Sequence, residues 1–133
     1  MRKEATFRTS AFNTSEARDY FINEGCFGDD LAKWMIGRLR EAGVETDDEP
    51  GQEDFGWYFE FKVPAGPHCC ILGYQEDEPE GVWHLWLERS RGLLGSILGR
   101  RGHGIDEAAV RALDDVLASA AEIRDLQWEN PSS

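Results

Sequence analysis

The 133-residue sequence lacks most of what marks a membrane or secreted protein. No apolar run approaches the roughly 18 residues a membrane-crossing helix needs, so no membrane span is expected. The opening Met1-Arg2-Lys3-Glu4 leads into no apolar stretch, so no signal peptide is expected. Cysteine is scarce. Cys26, Cys69 and Cys70 are odd in number and two are adjacent, a poor disulfide framework that points to a reducing cytoplasm. Positive charge is scarce too: 14 Lys plus Arg stand against 26 Asp plus Glu, for a net charge of −12. A surface of that sign repels phosphate backbones and anionic lipid, which argues against nucleic-acid and membrane partners. It suits a basic protein partner, whose approach it would steer.

Apolar residues make up 41% of the chain, including five Trp, seven Phe and three Tyr, enough to fill one core. The length fits a single domain over residues 1–133. Residues 5–12 read as a first strand from their β-branched and aromatic content. Asn13, with Glu16 three residues on, predicts a short helix over 14–24. Asp29 or Asp30 is placed to cap a second helix, in which Leu31, Met35 and Leu39 recur every four residues and Gly43 supplies the stop. Residues 45–54 carry six acids around Pro50-Gly51 and read as a loop.

The clearest pattern follows. Phe55, Trp57, Phe59, Phe61 and Val63 share one parity, while Gly56, Tyr58, Glu60 and Lys62 share the other. Such alternation predicts a strand with one buried face. Residues 68–75 and 82–89 read as two more strands, joined by a break at Pro64-Gly66-Pro67 and an acidic turn over 76–81. Asp106 is placed to cap a last helix with Val110, Leu113, Leu117 and Ala120 inward, and Ile123 to Trp128 could add a short strand. The expected fold is therefore α+β. It is a two-layer sandwich with an antiparallel sheet of three to five strands and two main helical segments on one face. The other face would be open to water, to a partner, or to a second copy in a homodimer.

Several surfaces compete as sites. Asp47, Asp48, Glu49, Glu53 and Asp54, with Trp57 and Tyr58 behind them, would present acid and aromatic anchors to a basic protein. A solvated charge run explains the same acids more simply, and their spacing does not follow the calcium-loop pattern. Arg89, Arg91, Arg100 and Arg101 sit among glycines in segment 89–104 and offer bidentate donors to an anion, although no phosphate-loop signature is present. These arginines could instead pair with the chain's own acids, notably residues 45–54. His68-Cys69-Cys70, with Cys26 and His84 nearby in kind, lacks any Cys-x-x-Cys spacing, and neighbours on a strand point to opposite faces, so no metal is expected. Glu60 and Glu88 could face each other as paired carboxylates, and Trp57, Trp83 and Trp86 could line a pocket. Among so many acids a chance pair is expected, and core packing explains such tryptophans more often than a pocket does. No hydrolase or metalloprotease string is present, so an enzyme is the weaker expectation and no cofactor is implied.

The stretch Glu-Pro-Gly-Gln-Glu-Asp-Phe-Gly-Trp-Tyr-Phe at 49–59 resembles the acidic turn into a strand of small bacterial domains of unknown function. In size, acidity and α+β layout the chain is also similar to immunity proteins that neutralise bacterial toxins. That resemblance implies a non-catalytic inhibitor acting by occlusion. It assigns no residue a role.

Overall fold

A computed structural model describes residues 2–9, 12, 28–53, 56–75, 81–90 and 105–129. The expected helix over 14–24, Cys26, the turn at 76–80 and most of segment 89–104 lie outside these residues.

In chain order the described elements are β1 (Arg2–Arg8), α1 (Asp29–Glu41), β2 (Glu45–Thr46), β3 (Gly51–Glu53), β4 (Gly56–Val63), β5 (Gly66–Gln75), β6 (Val82–Arg89), α2 (Glu107–Ala118) and β7 (Arg124–Glu129). The fold is α+β, and its seven-stranded antiparallel sheet exceeds the three to five strands expected. Strand order is β2-β4-β5-β6-β1-β7, with β3 also pairing with β4. The two extra strands, β2 and β3, come from the acidic stretch that reads as a loop in sequence. Composition there describes the side chains, whereas the backbone finds its hydrogen-bond partners along β4.

Alternation does the work in the middle of the sheet. Phe59, Phe61, Cys70, Leu72, Trp83, Leu85, Leu87, Ala5 and Phe7 fall on one face and are at most 2% exposed. They form one cluster with Leu31, Met35 and Leu39 of α1 and with Ala109, Leu113 and Leu117 of α2, which places the buried sides of both helices against that face. Burying each large side chain contributes about 1.5–3 kcal/mol. The opposite parity carries Tyr58, Glu60, Ile71, His84 and Trp86.

Three local expectations shift. The first strand runs Arg2–Arg8 rather than 5–12, because its alternating Ala5 and Phe7 need to meet Leu85 and Trp83 across the ladder. Phe12 instead packs its ring on Trp34 of α1, 5.5 Å between centroids. Helix α1 is entered through Gly28 at φ 133°, which takes the N-cap position, while Asp30 inside the first turn accepts the free Leu31 N–H at 2.9 Å. A Cβ at Gly28 would sit 3.3 Å from both Trp57 and Trp83, so the position takes glycine for its backbone and for its space. Asp29 and Asp30 occupy the first turn, where negative charge suits the helix dipole. Finally, β5 begins at Gly66, earlier than expected, and includes Pro67 opposite Lys62.

Other signals hold. Gly43 takes φ 86°, its N–H donates to Arg40, and the Val44 N–H donates to Leu39, a complete left-handed stop. Asp106 caps α2 by accepting from the Ala108 N–H at 2.9 Å. The terminal strand β7 pairs with β1, and the Trp128 indole donates to Asp114 of α2 at 2.9 Å. No helix among the described residues is long and apolar enough to cross a membrane.

Candidate functional site

The acidic stretch is not a loose loop. Arg40 stands in the last turn of α1 and reaches over the short connection to β2. Its Nε donates to the Thr46 hydroxyl at 2.7 Å. Its Nη2 donates to the Thr46 and Asp47 carbonyls at 3.3 and 3.2 Å and to Asp48 Oδ1 at 2.7 Å. Asp47 then extends the ladder beyond Thr46. Its N–H donates to the Glu60 carbonyl at 3.0 Å, and its Oδ2 accepts the Glu60 N–H at 2.9 Å. A carboxylate thus stands in for a strand carbonyl. At β3 the Tyr58 ring lies across Gly51, where a Cβ would come within 2.5 Å of it.

This geometry separates the expected partner-binding residues. Asp47 and Asp48 are exposed but serve internal contacts. Glu49 is exposed, and among the described residues it makes no ion pair or hydrogen bond. The same holds for the carboxylates of Glu45 and Glu60. Glu53 contributes backbone to β3, and Asp54 lies outside the described residues. Trp57 is 5% exposed and belongs to the core, which corrects its expected role as a surface anchor. Its strand parity fixed that outcome, since Trp57 shares the face of Phe59 and Phe61. Tyr58, one residue on, is half-buried on the opposite face.

On that face Tyr58, Ile71, Trp86, Glu4 and Glu129 form one cross-strand row. Trp86 donates its indole N–H to Glu4 at 2.8 Å and stacks on His84, with centroids 5.7 Å apart and planes 14° from parallel. The His84 Nε2 meets the Gln75 side-chain oxygen at 3.0 Å. Trp83 by contrast lies in the core, so Trp57, Trp83 and Trp86 do not line one pocket. Glu60 and Glu88 share the face but have Cys69 between them, which sets their strands about 10 Å apart, too far for a direct pair.

Among the expected anion-binding residues, Arg89 donates from Nη2 to the Ala65 carbonyl, while Arg91, Arg100 and Arg101 lie outside the described residues. Asp48 takes Arg40 and Arg89 takes a backbone carbonyl, so the contacts found for them do not join residues 45–49 to Arg89. Cys70 and His68 point to the helix side and Cys69 to the other, as alternation requires. Burial pushes the Cys70 thiol well above its ordinary pKa. No group of three His, Cys, Asp or Glu among the described residues could hold a metal.

Two residues have structural roles that the sequence does not assign to them. Arg40 carried one signal, a basic side chain in the last helical turn just before an acidic run. His68 was weighed only as a metal ligand. Compared with protein-family models, curated proteins and solved structures, the chain gives no match.

Proposed function

We propose that the protein is a non-catalytic, acidic protein-binding module that occludes a basic surface of its partner, as an immunity-type inhibitor of a basic toxin in a bacterial cytoplasm would. One observation supports this reading above the others. Glu45, Glu49 and Glu60 are exposed and make no ion pair among the described residues, on a backbone that Arg40 and Asp47 hold in place, with Lys62 across from Glu45 and Tyr58 on the same strand as Glu60. Such preorganisation lowers the ordering cost of binding, and unpaired surface acid speeds the encounter with a cation. The half-buried Tyr58 and Trp86 are of the types that anchor interfaces.

The test is kinetic. Cross-linking identifies basic binders, and each purified binder is then titrated against the wild type, Glu49→Lys and the Glu45→Lys/Glu60→Lys pair. The reading expects association to slow steeply with salt and to slow again in the charge-reversed variants. Binding that ignores both salt and charge reversal sinks it. Asp47 and Asp48 are poor choices for this test, since their loss would also loosen the edge. The alternative, a small-molecule or anion-binding domain using segment 89–104, predicts that nucleotides or carboxylates raise the melting temperature. A homodimer through the open face predicts a concentration-dependent mass instead.

A further inference from the structure

His68 is fully buried, yet neither ring nitrogen lacks a partner. Nδ1 lies 3.1 Å from the Gly66 carbonyl, and Nε2 lies 3.1 Å from the Asp106 N–H. A carbonyl can only accept and a backbone N–H can only donate. The ring must therefore carry its proton on Nδ1 and present a lone pair at Nε2. Only neutral imidazole can do both, because imidazolium has no acceptor. Phe61 stacks against the ring at 6.0 Å and contributes no charge.

The bond to Asp106 matters because of where Asp106 stands. It caps α2: its carboxylate holds the Ala108 N–H and its carbonyl holds the Ala109 N–H. His68 thus ties the start of α2 to β5, just as the Trp128–Asp114 bond ties α2 to β7. We propose that His68 is an acid-operated latch, which in its neutral form pins the start of α2 to the sheet and on protonation releases it. The added proton lands on Nε2 and turns an acceptor into a donor that faces the Asp106 N–H. Protonation thus breaks the bond to the Asp106 N–H and sets a cation beside the carboxylate that caps α2.

The surroundings of the ring, burial above all, favour the neutral state. Burial lowers the His68 pKa most, the Gly66 carbonyl raises it, Arg89 from β6 lowers it and Asp106 at α2 raises it. These are the charged groups that face the ring from the described elements. The ring therefore resists protonation while α2 is docked and takes a proton more readily once α2 opens. Acid then favours the opened state. The latch is independent of the partner-binding reading and needs no ligand.

The experiment uses the full chain. Nitrogen-15 NMR of the wild type from pH 8 to 5 reads the tautomer and titration of His68, and hydrogen exchange reads the amides of Asp106, Ala108 and Ala109. The latch expects the Nδ1–H tautomer at neutral pH and a midpoint below about 6.5. It also expects those amides to open about tenfold more often at pH 5.5 than at 7.5 after correction for intrinsic exchange. In His68→Gln, whose side-chain oxygen can still accept from Asp106 but does not titrate, the increase should vanish. A ring that titrates near 6.5 or above without quickening those amides overturns the proposal, as does an undiminished increase in His68→Gln. If that variant fails to fold, the wild-type ring titration together with the three amides decides alone.

Discussion

Arg40 and His68 each pin a helix to the sheet, one in water and the other out of it. Arg40 holds the end of α1 to β2 and the two residues after it through four hydrogen bonds, but its side chain is 47% exposed and that of its ion-pair partner Asp48 is 95% exposed. His68 holds the start of α2 to β5 through one bond to Asp106, with no exposure at all. Bond count would rank Arg40 first. Physical setting reverses that order, because water and salt compete for an exposed side chain, whereas the His68 ring is fully buried and its loss would leave a cavity as well as a broken bond. Arg40 serves precision, keeping an acidic edge in one shape. His68 serves docking, and it does so in a form that acid can revoke.

The widest gap between the two should appear on truncation. His68→Ala removes a buried ring and orphans the Asp106 N–H, and should cost about 3 kcal/mol in chemical denaturation. A cost under about 1 kcal/mol would break the comparison. Acid should come next. The folded pKa of His68 lies below its unfolded value, so the unfolded chain binds more protons in that window and stability rises with pH. The His68 contribution is whole above about pH 6.5 and declines as pH falls toward the lowered folded value. That decline should appear as wild type losing stability relative to His68→Gln as the pH falls below about 6.5.

The exposed tie should respond less. Asp47→Ala strips the Glu60 N–H of its carboxylate and should cost about 1 kcal/mol, with Asp47→Asn recovering most of it, since an amide oxygen still accepts. Urea midpoints suffice to read both. Arg40→Ala should cost about 0.5–1 kcal/mol and lose much of that effect in 1 M salt, whereas the His68 effect should be indifferent to salt. The smallest change belongs to Glu49→Lys, expected within about 0.5 kcal/mol of wild type because Glu49 supports no contact among the described residues. A large stability loss there would mean that Glu49 belongs to the network around Arg40 and not to the proposed interface.

The same contrast explains what was legible in advance. The strand through Phe59 and Phe61 was readable because alternation is a local property that burial of one face enforces. The stop at Gly43 and the cap at Asp106 were readable because each depends on a few adjacent residues. Trp57 and Tyr58 were read together as anchors, although the same alternation sends them to opposite faces of β4. Parity outweighs adjacency on a strand. The acidic stretch read as a loop because acids and Pro-Gly favour turns, yet β4 offered an unpaired edge and the backbone of 45–46 and 51–53 took it. A β4 edge left open would have been a template for another chain, so covering it with acidic strands also guards against association.

The sequence by itself determined the α+β class, the parity of the central strands, the stop of α1, the cap of α2 and the excess of acid, all of which follow from side-chain chemistry within a few residues. Only the tertiary structure decided that seven strands form one sheet, that Arg40 gathers the acidic edge, and that His68 meets Asp106, 38 residues away. Those outcomes depend on which backbone groups come to lie beside one another once the core has closed. Long-range hydrogen bonds leave no periodicity in the chain that makes them.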